Sequence, residues 1–282
     1  MSITNNITLQ DKILSLSYHL TKVCNFKCRF CYAHFNKVEK NHLSEKEAKK
    51  IINLLYKSGT RKITFAGGEP TLINYLPKLI IYASNLGMTT VLITNGYKIT
   101  QSYLDLMDNK LDWVGLSIDS GIEEINIRLG RGTGGHVERS LRVADLLEKN
   151  DIIIKLNTVV TSLTWNEDMN WLVDKVNPKR WKVFQILPIL GENDDAADMI
   201  VTPKQYTHFT EVHKKNNPVI ERNENMKGGY VMIDPEGRFF NNDTGILTHG
   251  PSILDVGVEK AFEFSTFSYS TFLGREGNYK WD

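Results

Sequence analysis

Six short runs of β-branched and aromatic residues alternate with segments of helical periodicity, and this alternation limits the possible folds more than any other feature. A strand–helix–strand order of this kind builds right-handed crossovers between parallel strands. The sequence therefore predicts an α/β fold with a parallel sheet, either curled into a full or partial barrel or left flat between helices. The predicted strands cover residues 13–20, 62–67, 89–94, 113–119, 152–160 and 181–189.

The predicted helices separate these strands. The clearest one follows Ser44, whose side chain can cap it, and Glu47 completes a capping box three residues later. Gly59 then provides a stop signal for this helix. The other helices are expected near 73–86, 100–109, 137–149, 166–176 and 204–215.

The pattern changes after residue 217. Residues 230–240, YVMIDPEGRFF, predict a hairpin with its turn at 235–237, and a loop rich in Gly, Asn and Asp follows at 241–251. Because no linker or low-complexity segment separates the two parts, we expect one structural unit. Residues 1–217 would form the sheet with its helices, and residues 218–282 a C-terminal extension.

The composition describes a soluble globular chain. Hydrophobic residues make up 41% of the 282 residues and charged residues 24%, which excludes a disordered or collagen-like chain. No stretch approaches the roughly 20 apolar residues of a membrane span, and residues 1–12 carry no apolar signal core. We therefore expect a cytoplasmic protein without membrane association. The net charge of +1 indicates no extended nucleic-acid surface.

All of the cysteines lie in one short segment, C-x3-C-x2-C, directly after the first predicted strand. Cys24, Cys28 and Cys31 cannot all pair with one another, and a disulfide framework would spread them along the chain. Three thiolates in one loop can hold three irons of a [4Fe–4S] cluster and leave the fourth iron open for a small molecule. The alternative is a zinc site completed by His34, although structural zinc usually joins separated segments.

Further glycine and polar residues follow the predicted strands, where parallel α/β folds place their sites. They are Gly67, Gly68 and Glu69 after the second strand, Asn95 after the third, and Ser117 with Asp119 on one face of the fourth. Each could also be an ordinary turn or strand-end cap. A functional role is favoured for them because they occur together with the cysteine motif.

A glycine-rich loop at 130–135 spells G-x-G-x-x-G, but it is not a dinucleotide fingerprint. That fingerprint directly follows a strand and has an acidic residue about 20 positions later. Here a helical segment precedes the loop, and Lys155 occupies the later position. The glycines can still let the backbone approach a phosphate, with Arg131 adding charge.

Cations interrupt two of the apolar strands. Strand parity places Lys155 and Asn157 on one face of the fifth strand, and Arg180 and Lys182 share a face of the sixth. Because lysine is almost never buried unpaired, these residues either face solvent at an edge or converge on an anion. Several cations together match a triphosphate better than a single carboxylate.

The cysteine motif and Gly67-Gly68-Glu69-Pro70 together resemble the radical S-adenosylmethionine (SAM) superfamily, in which SAM binds the open iron of a [4Fe–4S] cluster. The segments WKVFQ, LGENDD, GGYVMID, RFFNN and SILDVGVEKAFEFS, with the Lys155-x-Asn157 pair, further resemble the viperin family from about Ser15 to Trp281. This resemblance implies a partial (β/α)6 barrel with a C-terminal hairpin and lid. It also implies dehydration of a ribonucleoside triphosphate, CTP or UTP, to its 3′-deoxy-3′,4′-didehydro form, an antiviral chain terminator.

The resemblance also implies roles for individual residues. A radical from SAM removes the ribose C4′ hydrogen, the 3′-hydroxyl then leaves as water, and Lys155 and Tyr230 match the positions of the acid or relay. The expected cluster ligands are Cys24, Cys28 and Cys31, the SAM-binding residues Gly67, Gly68, Glu69, Asn95, Ser117 and Arg131, and the substrate-binding residues His136, Asn157, Arg180 and Lys182. We expect a monomer that receives its electron from a flavodoxin or ferredoxin.

Two alternatives stay open at this level: a radical SAM enzyme acting on another substrate such as a peptide, and a non-catalytic iron–sulfur or zinc module. Peptide-modifying members often carry extra cysteine-rich domains, and this chain has no further cysteine. It also departs from the animal viperins. It starts without their amphipathic membrane helix, has Gly134, Gly135 and His136 where their loop continues with lysines, and differs at 241–251. We therefore expect a soluble, prokaryotic-type member.

Overall fold

The computed structural model describes residues 8–281, in which one ten-stranded sheet carries helices on its outer face. The expectation for residues 1–12 thus falls partly outside the described range. The strands are β1 Ser15–His19, β2 Lys62–Ala66, β3 Thr89–Thr94, β4 Trp113–Ser117, β5 Ile153–Val160, β6 Arg180–Gln185, β7 Val219–Glu221, β8 Met232–Ile233, β9 Arg238–Asn241 and β10 Thr248–Ser252. Their order in the sheet is β10-β9-β8-β1-β2-β3-β4-β5-β6-β7.

The pairing of the strands decides between the predicted arrangements. β1 to β7 pair in parallel, β8 runs parallel to β1, and β9 pairs antiparallel with both β8 and β10. Because β7 and β10 are both free edges, the sheet does not close on itself. The partial barrel is therefore confirmed and the full barrel is excluded for the described residues.

Helices follow the strands as the sequence predicts. They are α1 Leu9–Lys12, α2 Glu45–Lys57, α3 Leu76–Asn85, α4 Gln101–Asp105, α5 Glu123–Leu129, α6 His136–Lys149, α7 Asn170–Val176, α8 Pro203–Val212, α9 Asn223–Met226, α10 Ile253–Val256, α11 Val258–Phe262 and α12 Tyr269–Gly274. The capping box of α2 is confirmed, since the Ser44 hydroxyl accepts from the Glu47 amide and the Glu47 carboxylate accepts from the Ser44 amide. The sixth strand ends earlier than predicted, at Gln185, because Pro188 has no amide to continue the ladder.

Each inner strand has one apolar face and one more polar face. The side chains of Leu16, Phe65 and Leu156 are buried in the main hydrophobic core, whereas their strand neighbours Ser17, Thr64 and Lys155 line a cavity on the opposite face. This alternation with period two is the reason that the site lies on one side of the sheet.

Residues after 217 contribute to both edges of the sheet. β7 extends the edge beside β6, and the predicted hairpin forms as β8 and β9, which join the sheet beside β1. A side-chain contact joins β7 to the segment before β8, since the Tyr230 hydroxyl hydrogen-bonds to Glu221 on β7. The division of the chain near residue 217 stays a prediction. In the described part of the chain, no helix has the length and apolar character to cross a membrane.

Candidate active site

A cavity of about 320 Å³ lies on the polar face of the sheet. The loop after β1 brings the three cysteine side chains to it. On another part of its wall lie Lys62, Lys155 and Lys182 from the strands and Tyr230, Arg275 and Tyr279 from the C-terminal extension. The cavity therefore joins a set of thiols to a set of cations.

The cysteine loop, residues 24–31, is held by the end of α5 and the residue that follows it. The amides of Lys27 and Arg29 each donate to a carbonyl there, of Gly130 and Leu129 respectively, at 3.0 Å. Gly130 has a φ of +83°, and a Cβ atom at this position would collide with the Lys27 carbonyl. Glycine is therefore required here for close packing on the cysteine loop.

The donor set fits a [4Fe–4S] cluster better than a single metal ion. Cys24, Cys28 and Cys31 all line the cavity, but among the described residues no three His, Cys, Asp or Glu side chains group closely enough to hold one ion. His34 points its Nδ1 at the Glu192 carbonyl, 2.8 Å away. The geometry thus gives no support to a zinc site with His34. A cluster holds each thiolate on a different iron and needs the open space beside the loop.

The thiols lie in a low-dielectric environment. Burial raises the pKa of Cys28 to about 12 and that of Cys31 to about 11, while nearby Arg131 acts in the opposite direction. Buried thiols of this kind become thiolates beside compensating positive charge, and the irons of a cluster would supply it.

Glu69 fixes the loop that follows β2. One carboxylate oxygen accepts from the Thr94 hydroxyl and the other from the Asn95 amide, both at 2.8 Å. Because Glu69 is fully engaged with the end of β3, it positions the backbone at Gly67 and Gly68. These glycines and Glu69 line the cavity next to the thiols, where the resemblance places SAM.

Arg131 carries its charge beside the cysteine loop. It is buried and ion-paired with Asp119, whose second oxygen accepts from the Val159 amide at 2.8 Å. Its guanidinium lies 5.4 Å from the ring centroid of Phe30 in the cysteine loop. Ser117, two residues before Asp119, lines the same part of the site.

Lys155 and Asn157 both face the cavity, as strand parity predicts. Burial lowers the pKa of Lys155 to about 8, against the opposing effect of Glu221. The Asn157 Oδ1 atom is buried without a hydrogen-bond partner. A buried acceptor of this kind is normally satisfied, so a donor group of a ligand would complete it.

Lys182 belongs to a buried network rather than standing alone. Its Nζ donates to Glu221 and, at 2.8 Å, to the Tyr230 hydroxyl, which in turn donates to the second Glu221 oxygen. Arg275 lies 3.6 Å from the Tyr230 ring centroid, and its Nη1 is 3.6 Å from Glu221. Burial alone would raise the pKa of Glu221, but Lys182 and Arg275 hold it below its ordinary value. Two cations therefore share one carboxylate.

Lys62 is a buried cation that the C-terminal residues cover. Its Nζ donates to the Tyr279 hydroxyl at 3.1 Å and lies 4.2 and 4.1 Å from the ring centroids of Tyr279 and Trp281. Burial lowers the pKa of Lys62 to about 6, and each charged neighbour that acts on it is another cation, led by Lys155. This side chain would gain most from an anionic ligand.

Two predicted substrate residues do not line the cavity. Arg180 is covered by the C-terminal residues, and its Nη2 donates to the Glu276 carbonyl at 2.7 Å. His136 is fully buried, with its Nε2 3.1 Å from the Ser117 carbonyl. Burial lowers the pKa of His136 to about 3, so its ring is neutral and offers no charge to a phosphate. His136 contacts the site through Ser117, and both assignments stay predictions.

The comparison with known proteins decides the family. The family model described as the radical SAM superfamily matches residues 18–176. An S-adenosylmethionine-dependent nucleotide dehydratase from Flammeovirga pacifica is 40% identical, covering 95% of this chain and 96% of that relative. The chain belongs to the viperin family of radical SAM enzymes. A relative of the same description from Lacinutrix mariniflava is 41% identical, and this viperin-family chain spans 60% of its length.

Solved structures agree with the viperin-family fold. SuiB from Streptococcus suis, bound to its precursor peptide SuiA, matches with a TM-score of 0.67 at 16% identity, covering 93% of this chain and 66% of that one. At this identity the match shows the radical SAM fold alone. Radical SAM enzymes use a [4Fe–4S] cluster and SAM, and the Cys24, Cys28 and Cys31 thiols would hold that cluster in this viperin-family chain.

Three charged residues of this viperin-family site were not predicted: Lys62, Glu221 and Arg275. Lys62 begins the apolar run KITFAG and Glu221 ends the run VIE. Lys62 therefore resembles Lys155 as a charge in an apolar strand, whereas the two apolar residues before Glu221 are too few to indicate a strand. Arg275 lies in a polar segment without such a signal, and tertiary structure alone brings it to Tyr230.

Proposed function

We propose that this chain is a radical SAM dehydratase that converts a ribonucleoside triphosphate, with CTP or UTP preferred, to its 3′-deoxy-3′,4′-didehydro form. The observation that carries the proposal is that one cavity joins the three thiols to a group of buried cations. A reaction between SAM and a nucleotide needs a cofactor site and an anion site side by side. The printed names of the relatives, nucleotide dehydratases, support the same reaction.

The charge balance of the cavity favours a highly charged anion. Besides Arg131, and Lys22, whose Nζ donates to two backbone carbonyls, the cations that line it are Lys62, Lys155, Lys182 and Arg275. Among the carboxylates, Glu221 is shared between Lys182 and Arg275, Asp119 is already paired with Arg131, and Glu69 accepts hydrogen bonds from the end of β3. Burying an ion costs several kcal/mol unless a partner offsets the lost hydration. A triphosphate would supply the missing negative charge.

Lys155 and Tyr230 would handle protons in this reaction. When bound, the cluster and SAM supply the carbon-centred radical that removes a hydrogen from the ribose. Loss of the 3′-hydroxyl as water then needs a proton donor, and one further electron from the reductant completes the didehydro product. Lys155, with a pKa of about 8, is mostly protonated at neutral pH and is our candidate for the acid. Tyr230, hydrogen-bonded to Lys182 and Glu221, is our candidate for the relay.

The remaining predicted residues hold the ligands. The Asn157 Oδ1 atom, which lacks a partner, would accept a hydrogen bond from a ribose hydroxyl. The SAM-binding set is Gly67, Gly68, Glu69, Asn95, Ser117 and Arg131, all of which line the cavity near the cysteine loop. Arg275 and Tyr279 cover the site from the C-terminal extension, and this cover would keep water from the radical.

An anaerobic assay with reconstituted protein, SAM and each of CTP, UTP, GTP and ATP tests the proposal. We expect 5′-deoxyadenosine together with a nucleotide lighter by one water, and neither product from a Cys28→Ala control. Formation of 5′-deoxyadenosine with all four nucleotides unaltered would contradict the dehydratase and favour a different substrate.

We also propose a cytoplasmic monomer that receives its electron from a flavodoxin or ferredoxin. The three cysteines supply the ligands of one cluster, so the electron must come from another molecule. Free thiols suit a reducing compartment. Size-exclusion chromatography with light scattering would test the monomer, and a dimer at micromolar concentration would contradict it.

A further inference from the structure

Exposed apolar side chains surround the cysteine loop. Val23, Tyr97 and Ile127 leave 41, 53 and 46% of their surface exposed. The Tyr97 ring centroid lies 6.4 Å from that of Phe26 within the cysteine loop. Ile127 lies on α5, just before the segment whose carbonyls hold the same loop. Single exposed apolar residues are ordinary, but a group around one loop indicates a contact surface.

Basic side chains border these apolar residues. The exposed ones are Lys27, Lys98 and Arg128. The Arg139 guanidinium adds to them, 4.8 Å from the Tyr97 ring centroid, and Glu124 is an exposed carboxylate on the same helix as Arg128. We call Val23, Lys27, Tyr97, Lys98, Ile127 and Arg128 the cysteine-side patch. It has an apolar centre and a positively charged rim.

Arg29, another basic residue of the cysteine loop, differs from those of the patch. It is paired with Asp198 at 2.6 Å and also donates to the Asp195 carbonyl. Its charge is therefore already neutralised within the chain. Within residues 8–281, Lys27, Lys98 and Arg128 form no ion pair, so the cysteine-side patch keeps its positive charge.

We propose that the cysteine-side patch is the docking surface for an acidic one-electron carrier protein. The inference rests on the proposed function, since it requires a cluster on the three cysteines. Lys27 lies directly before Cys28, so a carrier on this patch comes close to the cluster ligands. Negative charge on the carrier complements the rim and speeds the encounter. Transient electron-transfer complexes use small contacts of less than about 1,200 Å².

The transfer itself is balanced. The carrier loses one electron and the cluster gains one, and no atom, proton or covalent bond changes place. A patch of this kind therefore needs complementary charge and a short path, without a cavity of its own.

Charge reversal tests the patch against a matched control. The test variant is Lys27→Glu/Arg128→Glu, and the control is Lys50→Glu/Lys204→Glu, exposed on α2 and α8 and with the same change in net charge. Each reconstituted protein is mixed with reduced flavodoxin or with photoreduced deazaflavin, a small donor. Cluster reduction is followed by the loss of visible absorption.

We expect reduction by flavodoxin to be at least tenfold slower in the test variant at low salt and unchanged in the control. Reduction by deazaflavin should be equal in all proteins, because a small donor needs no docking. The wild-type rate with flavodoxin should fall steeply with salt, since screening removes the attraction. Independently of turnover, Tyr97→Ser/Ile127→Ser should weaken binding of oxidised flavodoxin in surface plasmon resonance.

Two results would overturn the docking surface. Equal slowing in the test and control variants would mean that net charge alone matters. Equal slowing with both donors would mean that the substitutions change the cluster rather than the docking. If the nucleotide assay fails while the expected differences in reduction persist, the proposed function is wrong and the docking surface stands.

Discussion

At the scale of single residues, the site contains more buried basic groups than its carboxylates can pair, and Lys62 shows this best. Lys62→Met should raise the free energy of unfolding of the ligand-free protein by about 1–3 kcal/mol, because it removes a buried amine that loses its favourable ionisation when the chain folds. The same change should weaken triphosphate binding tenfold or more. Urea denaturation and titration calorimetry measure the two effects, and Lys50→Met on the surface should change neither. A loss of stability with unchanged affinity would contradict this account.

The depressed pKa values of Lys62 and Lys155, about 6 and about 8, predict pH-dependent binding. A bound anion favours the charged form and raises both values. Binding at pH 8 should therefore take up roughly one proton or slightly more, and affinity should fall as the pH rises from 6 towards 9. Calorimetry in buffers of different ionisation enthalpy measures the uptake. Lys62→Met should remove most of it, and an unchanged uptake would exclude Lys62.

Tyr230→Phe should separate chemistry from binding. The ring still packs under Arg275, but the hydroxyl that joins Lys182 to Glu221 is lost. We expect the cluster to be retained, some 5′-deoxyadenosine to form, and the ratio of dehydrated nucleotide to 5′-deoxyadenosine to fall about a hundredfold. Lys155→Met should act in the same direction. Mass spectrometry gives the ratio, and a wild-type ratio at an undiminished rate would leave Tyr230 with a packing role.

At the scale of elements, the turn after α5 shapes the cysteine loop. Gly130 and Gly134 have φ values of +83° and +127°, so alanine at either carries backbone strain of about 1–2 kcal/mol. A Cβ atom at Gly130 would also collide with the Lys27 carbonyl, whereas at Gly134 nothing lies within 4 Å. Gly130→Ala should thus lose iron on reconstitution, and Gly134→Ala should keep iron and sulfide in near-equal amounts. Equal iron in both variants would refute the role of Gly130.

The elements also show what the sequence can predict. β1 to β6 lie in apolar runs that were predicted as strands, as were the cavity-facing positions of Lys155 and Asn157. β7 has three residues, too few for an alternating pattern to appear, and the two-residue β8 was predicted only through the turn of the 230–240 hairpin. Glu221 becomes a partner of Lys182 because the sheet order places β7 beside β6. A contact between segments so distant in sequence depends on the topology, which local patterns do not contain.

At the scale of the whole molecule, the Lys182, Glu221 and Tyr230 side chains join the β7 edge of the sheet to the segment before β8. Glu221→Gln should lower the free energy of unfolding by about 3–5 kcal/mol, because it leaves buried cations without their carboxylate. Hydrogen exchange should accelerate in β7 and in residues 229–233, with β3 and β4 unchanged as internal controls. Exchange that accelerates equally across the sheet would show global destabilisation instead of a local effect.

In a barrel closed by backbone hydrogen bonds, two neighbouring strands could separate only after the hydrogen bonds between them had broken. Here the wall between β7 and the residue before β8 consists of side chains, so it can separate while every strand keeps its neighbours. The strength of this side-chain contact depends on the charge of Lys182. A triphosphate that attracts Lys182 would weaken its hydrogen bonds to Glu221 and Tyr230, so substrate binding would also free the Tyr230 hydroxyl to act as the proton relay.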